Sequence, residues 1–198
     1  MTLPRFYPVF GTVDWLHRAL PLGVKLVQLR IKDRPQAELR KDIRTALALT
    51  RQHGAALVVN DHWQIAIEEG ADWLHLGQED LDTADLPAIR RAGLRLGIST
   101  HDHAELDRAL ALAPDYVALG PIYPTILKKM KWHQQGLDRV TEWKRLVGDV
   151  PLCAIGGLTV ERAEGAFAAG ADTVAAVTDI TLNADPEGRL RDWLRVCT

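Results

Sequence analysis

One unit recurs along this 198-residue chain: a polar segment with helical spacing, a glycine, then a short apolar run ending in polar residues. Gly23, Gly54, Gly70, Gly93 and Gly170 precede apolar runs over 24–32, 55–61, 73–75, 94–99 and 173–178. Glycine just past a helix supplies a left-handed C-cap, and the apolar run after it reads as the next strand. Pro114 and Pro151 mark two further strand entries, at 116–120 and 152–156, because proline is tolerated at a strand's first residue. Residues 6–9 supply a first strand, and helical patterns cover 13–21, 35–52, 62–68, 85–92, 101–112, 137–147, 160–169 and 186–196. About eight alternating units predict a compact α/β protein, a (β/α)₈ TIM barrel as one domain over residues 1–198. At this length the barrel has almost no room for insertions. A doubly wound open sheet uses the same units but carries a glycine-rich dinucleotide turn, and no Gly-x-Gly-x-x-Gly follows the first strand.

Composition narrows the function classes. A chain that is 47% hydrophobic can bury a substantial core, and a formal charge of -2 with interspersed signs argues against a nucleic-acid or membrane-surface partner. No apolar run is long enough to span a bilayer and the first residues lack a secretion signal's apolar core, so a cytoplasmic protein is expected. Cys153 and Cys197 have neither metal-ligand spacing nor a disulfide framework, and Cys153 reads as core packing.

In both barrels and open parallel sheets, function collects at the carboxyl ends of the strands. The run Val27-Gln28-Leu29-Arg30-Ile31-Lys32 alternates strictly, so Val27, Leu29 and Ile31 share one face and Gln28, Arg30 and Lys32 the other. Alone, that pattern also fits an exposed edge strand. The other strand ends supply Asn60-Asp61, the segment from His75 to Asp80, Ser99, the exit from Gly120 to Thr125 followed by Lys128, Lys129 and Lys131, then Gly156-Gly157 and Thr178.

Each residue has a plainer reading. Asp61 and Ser99 suit helix caps, Ser99 with Asp102 three residues on; His75 suits a satisfied core histidine; the lysine cluster suits a solvated loop; the six tryptophans suit packing. Gly156-Gly157 fits a bare turn or a backbone cradle for an anion, since the loops after strands seven and eight are the usual phosphate site of this fold. Together the residues divide into two groups. Arg30, Lys32, Asn60 and Ser99 can hold a multiply charged anion while Asp61 and Asp80 offer carboxylates to a hard cation such as Mg²⁺, which suggests a metal-bound pyrophosphate. Thr125, Gly156, Gly157 and Thr178 form a second cradle suited to a monophosphate. No serine or cysteine has a convincing base beside it, so covalent catalysis is not inferred.

The ordered segments Val27 to Asp33, Val59-Asn60-Asp61, His75 to Leu81, Gly97 to His101, Ala118 to Thr125 and Ala154 to Gly157 make the chain resemble the thiamine phosphate synthase family over nearly its whole length. The resemblance implies a (β/α)₈ transferase of thiamine biosynthesis. It would join 4-amino-2-methyl-5-(diphosphomethyl)pyrimidine to a thiazole monophosphate and release pyrophosphate, with Mg²⁺ as cofactor. It implies Arg30, Lys32, Asn60, Ser99 and Lys128 on the pyrophosphate, Asp61 and Asp80 on Mg²⁺, and Gln28 and His75 on the pyrimidine side. Thr125, Gly156-Gly157 and Thr178 would hold the thiazole phosphate. The expected partners are these small molecules; a homo-oligomer is left open.

The chain departs from the family's usual pattern in three places. Leu127 stands where a second threonine is common, residues 129–136 are more basic and less proline-rich, and Thr178-Asp179-Ile180 replaces a Ser-Ala-Ile pattern. A missing hydroxyl and an added negative charge are expected to weaken thiazole-phosphate affinity while leaving pyrophosphate chemistry intact. Two alternatives stay open: a thiazole tautomerase-like relative, which needs no carboxylate pair for Mg²⁺, and a non-catalytic barrel that binds phosphate ligands.

Overall fold

The runs that follow each glycine become strands because they are apolar, short and rich in β-branched residues, while the amphipathic stretches between them bury one face as helices. In the computed structural model, which describes residues 3–125 and 133–198, the strands are β1 (Phe6–Phe10), β2 (Leu26–Leu29), β3 (Ala56–Asn60), β4 (Trp73–Leu76), β5 (Arg95–Thr100), β6 (Tyr116–Leu119), β7 (Leu152–Ile155) and β8 (Thr173–Ala176). Helices α1 (Val13–Ala19), α2 (Gln36–Gln52), α3 (Trp63–Glu68), α4 (Leu86–Arg91), α5 (His103–Ala111), α6 (Gly136–Val147) and α7 (Val160–Ala168) connect successive strands. Helices α8 (Thr178–Thr181) and α9 (Pro186–Val196) follow β8.

All strands pair in parallel and in sequence order, and β1 pairs with β8, so the barrel closes and has no edge. That corrects the edge-strand reading of residues 27–32. The strand is also shorter than its apolar run, ending at Leu29, and β2 lies between β1 and β3. Its alternation holds: Val27, Leu29 and Ile31 pack outward beneath the helices, while Gln28 points into the barrel and hydrogen-bonds there. The turn α8 was not anticipated, because four residues carry no readable helical period.

Two cores result. One lies between strands and helices; the other fills the barrel with Leu3, Tyr7, Val9, Leu26, Val58, Trp73, Tyr116, Ala118, Cys153 and Ala175. The buried polar side chains Gln28, Asn60 and His75 belong to the inward-facing positions toward the carboxyl ends of β2, β3 and β4. Cys153 is buried as packing, as expected.

The opposite rim is structural. Asp115, just before β6, accepts hydrogen bonds from the Leu96 amide at 2.7 Å and the Arg90 guanidinium at 3.3 Å. Asp172, just before β8, accepts from the Leu152 amide and Lys144 Nζ, each at 2.8 Å. The acid at each strand entry therefore satisfies the first free N–H of a neighbouring strand.

Candidate active site

The loops at the carboxyl ends of β2 to β6 are tied together by side chains that bond to backbone. His62 Nε2 donates to the Ile31 carbonyl at 3.2 Å, holding the loop after β2 against the exit of β3. Gln78 Nε2 donates to the Ser99 carbonyl at 2.7 Å, joining the loop after β4 to β5. Gln135 donates through Nε2 to the His101 carbonyl at 3.0 Å and through its backbone N–H to the Pro121 carbonyl at 2.7 Å.

Within this frame Asp61 leaves β3 with φ 65°, a left-handed conformation that aspartate tolerates better than most residues. It does not cap α3, whose N-cap is His62 with no side-chain cap bond. Its carboxyl instead meets that of Asp80, and burial together with Asp80 raises its pKa to about 6. The positive charges of Arg30 and His62 oppose that rise. Asp80 is anchored, since the Gly77 amide donates to its Oδ2 at 3.1 Å. Two half-buried carboxylates facing each other carry a repulsion that a hard cation relieves, and their oxygens are the donors such a cation prefers. Among the described residues no cluster of three or more His, Cys, Asp or Glu side chains gathers, so this pair would supply only part of a coordination shell.

Arg30 lies half-buried just past β2, close enough to act electrostatically on both Asp61 and His75. Lys32 is exposed two residues further on. Asn60 is buried at the end of β3, where it pairs in register with His75. Ser99 is half-exposed at the end of β5 and does not cap α5: Asp102 does, accepting from the Glu105 amide at 2.9 Å. The Ser99 hydroxyl is bonded to His75 Nε2 at 2.8 Å. His75 is the satisfied histidine that the plainer reading expected, buried so that its pKa falls to about 4 and the ring is neutral near pH 7.

Across the mouth, Gly156 and Gly157 take φ 96° and 65°. A Cβ on Gly156 would stand 2.7 Å from Pro121 Cα, and one on Gly157 2.5 Å from the Pro124 carbonyl oxygen, so both positions require glycine for backbone shape and for close approach. The Tyr123 amide donates to the Gly156 carbonyl at 2.9 Å, seating this turn against the loop that carries half-buried Thr125. Thr178 opens α8 and is half-buried. Lys128 and Leu127 lie outside the described residues.

One expectation is overturned. Asp179 adds no free negative charge beside a phosphate, because both its oxygens are bound. Arg189 donates to them through Nε at 2.8 Å and a terminal nitrogen at 2.9 Å, and Trp193 Nε1 donates at 2.8 Å. The charge at this position is spent on fastening α8 to α9.

Reading the sequence alone missed Tyr7, Tyr116 and Gly97. Gln28 Nε2 donates to Tyr7 Oη at 2.8 Å, the Tyr7 and Tyr116 hydroxyls are bonded at 2.9 Å, and Tyr116 Oη is bonded to His75 Nδ1 at 2.8 Å. Tyr116 reaches across β5 because Gly97 leaves room: a Cβ there would lie 2.0 Å from the ring's Cζ. A glycine inside an apolar run with no turn signal marks close approach of another group, and that was the legible clue.

The model for the family described as thiamine monophosphate synthase matches residues 8–180. The thiamine-phosphate synthase of Rhizobium etli is 60% identical over 194 residues, 98% of this chain and 95% of that protein. That of Klebsiella pneumoniae is 49% identical over 179 residues, 90% of this chain and 85% of that protein. The solved structure of a thiamine phosphate pyrophosphorylase from Pyrococcus furiosus superposes with a TM-score of 0.87 at 25% identity, covering 98% of this chain and 95% of that one. These likenesses favour the synthase over the tautomerase-like and non-catalytic alternatives. The chain belongs to the thiamine monophosphate synthase family.

Proposed function

We infer that the chain is a transferase that works as a thiamine-phosphate synthase, joining hydroxymethylpyrimidine diphosphate to thiazole phosphate with release of pyrophosphate. The observation that carries this reading is the pairing of Asp61 with Asp80 at the barrel mouth with Arg30 in electrostatic reach, in a chain so similar to synthases. An aminopyrimidine stabilises positive charge on its methylene, so the carbon–oxygen bond breaks with its electron pair going to diphosphate, and the thiazole nitrogen then supplies the pair for the new carbon–nitrogen bond. No protein nucleophile is required, and charge on the leaving group is what the site must stabilise.

In this scheme Arg30, Lys32 and Ser99 hold the diphosphate oxygens together with Asn60 and, from outside the described residues, Lys128. Asp61 and Asp80 would hold Mg²⁺, which when bound supplies Lewis-acid stabilisation of the departing oxygens. Gln28 and His75 orient the pyrimidine; Thr125, Gly156, Gly157 and Thr178 receive the thiazole phosphate. The weakened thiazole-phosphate affinity proposed for this chain now rests on Leu127 alone. Phosphorylated substrates that do not cross membranes suit a cytoplasmic enzyme.

The test is to incubate purified protein with both substrates, with and without Mg²⁺, and to measure pyrophosphate and thiamine phosphate. Equimolar appearance of both products, dependent on Mg²⁺, is expected. Ligand binding without pyrophosphate release would overturn the reading.

A further inference from the structure

The buried polar chain inside the barrel has a direction. Tyr7 is 2% exposed and Tyr116 0%, so each hydroxyl hydrogen needs a protein acceptor. The Gln28 amide nitrogen can only donate, so Tyr7 Oη accepts from it and gives its own hydrogen to Tyr116. Tyr116 must then donate to Nδ1 of His75, which leaves the imidazole hydrogen on Nε2, donated to Ser99 Oγ. The opposite order would leave the Tyr7 hydrogen with no acceptor. With its oxygen accepting from His75, Ser99 keeps its own hydrogen for a group at the barrel mouth, at the half-exposed end of β5.

Resting on the functional reading above, we propose that Tyr7 and Tyr116 are positioning residues for the reaction. The directed chain Gln28, Tyr7, Tyr116, His75, Ser99 holds His75 as the Nε2–H tautomer and so aims the Ser99 hydroxyl hydrogen at the leaving diphosphate. Three features support a built device. Gly97 vacates the space that the Tyr116 ring fills, the ring stacks on His75 with centroids 5.6 Å apart at 24°, and Tyr7 meets Tyr116 edge-on with centroids 5.9 Å apart. Gln28 sets the polarity: were its carbonyl oxygen to face Tyr7, every donor in the chain would reverse and Ser99 would spend its hydrogen on His75.

The direct test is long-range ¹H–¹⁵N spectroscopy of ¹⁵N-histidine-labelled protein at neutral pH, with the His75 signals assigned by their loss in His75→Asn. A neutral ring protonated at Nε2 is expected; protonation at Nδ1, or a charged ring, would overturn the proposal. The kinetic test is a double-mutant cycle. Tyr116→Phe keeps the ring and is expected to lower kcat about tenfold, in line with one lost hydrogen bond to a charge-handling group. Ser99→Ala should then cost about tenfold less in the Tyr116→Phe background than in the parent protein, because the two act through one donor. Losses that multiply would show that Tyr116 only packs. Tyr7→Phe should loosen the tautomer preference with a smaller loss in kcat; no change in the His75 spectrum would count against the chain. A wild type that releases no pyrophosphate would overturn the functional reading instead, and the wild-type histidine spectrum would still decide the hydrogen-bond chain.

Discussion

The two rims of the barrel use the same residue type to opposite ends. At the amino rim Asp115 and Asp172 each sit between a backbone N–H and a basic side chain, partly open to solvent, with their charge met on both sides. At the carboxyl rim Asp61 is pressed against another acid in a left-handed backbone, with its pKa raised to about 6. A carboxylate that serves folding is surrounded by donors; one left facing its own kind costs stability, a cost that the proposed Mg²⁺ site would account for here.

The strongest way to break that contrast is to remove one charged side chain from the carboxyl rim. Asp80→Ala or Lys32→Ala is expected to lower turnover by about a hundredfold to a thousandfold, the size of losing one preorganised contact to developing charge. The melting temperature of metal-free Asp80→Ala should stay level or rise, since its removal frees Asp61 from a like charge. Steady-state kinetics alongside thermal denaturation decide this, and near-normal turnover in either variant would refute the assigned role.

Gly97→Ala probes the layer between the rims. The new methyl would coincide with the Tyr116 ring, and overpacking of this kind costs about 3 kcal/mol. A drop in melting temperature together with loss of the His75–Tyr116 bond is expected, readable in histidine spectra. Unchanged stability would mean that the barrel interior yields more easily than a close-packed core should.

Much of this architecture was legible. The glycine-punctuated repeat announced a closed parallel barrel because each strand–helix unit carries its own periodicity and its own cap, which are local signals. The alternation of Val27 to Lys32 correctly sorted inward from outward side chains, but could not say that β2 has neighbours on both sides, because closure is a property of all eight strands. Asp61 and Ser99 read naturally as caps since capping is also local; what diverted them, Asp80 and His75, arrives from other strands' loops. Asp179 misled for the same reason: its charge was visible and its partner Arg189, ten residues on, was not assigned to it. The Tyr7–Tyr116 bond spans 109 residues and left a trace only in the glycine that makes way for it.

Asp172→Ala tests the amino rim. It leaves the Leu152 amide without its acceptor and Lys144 without its ion pair, and should cost about 1–2 kcal/mol, a few degrees in melting temperature. Turnover well below the melting transition should be unchanged. An activity loss larger than the loss of folded protein would show that this end of the barrel is coupled to the mouth.

The smallest expected effect discriminates the rims by pH. Asp61 has a folded pKa of about 6, above its ordinary value of 3.8, so between those values the folded protein holds a proton that the unfolded chain has released. Its contribution therefore favours the folded state on the acid side and is lost as pH rises through about 6, leaving the metal-free mouth at its most repulsive near neutrality. In the proposed site Mg²⁺ would compete with that proton. At ten times its Kd it should add about 1.4 kcal/mol, a few degrees in melting temperature, at pH 7.5, and much less at pH 5. The same titration on Asp80→Ala should show little Mg²⁺ effect at either pH, whereas Asp172→Ala should keep the full pH-dependent difference. An equal Mg²⁺ shift at both pH values in the parent protein would mean that the ion binds elsewhere, and the crowding of Asp61 against Asp80 would then need another explanation.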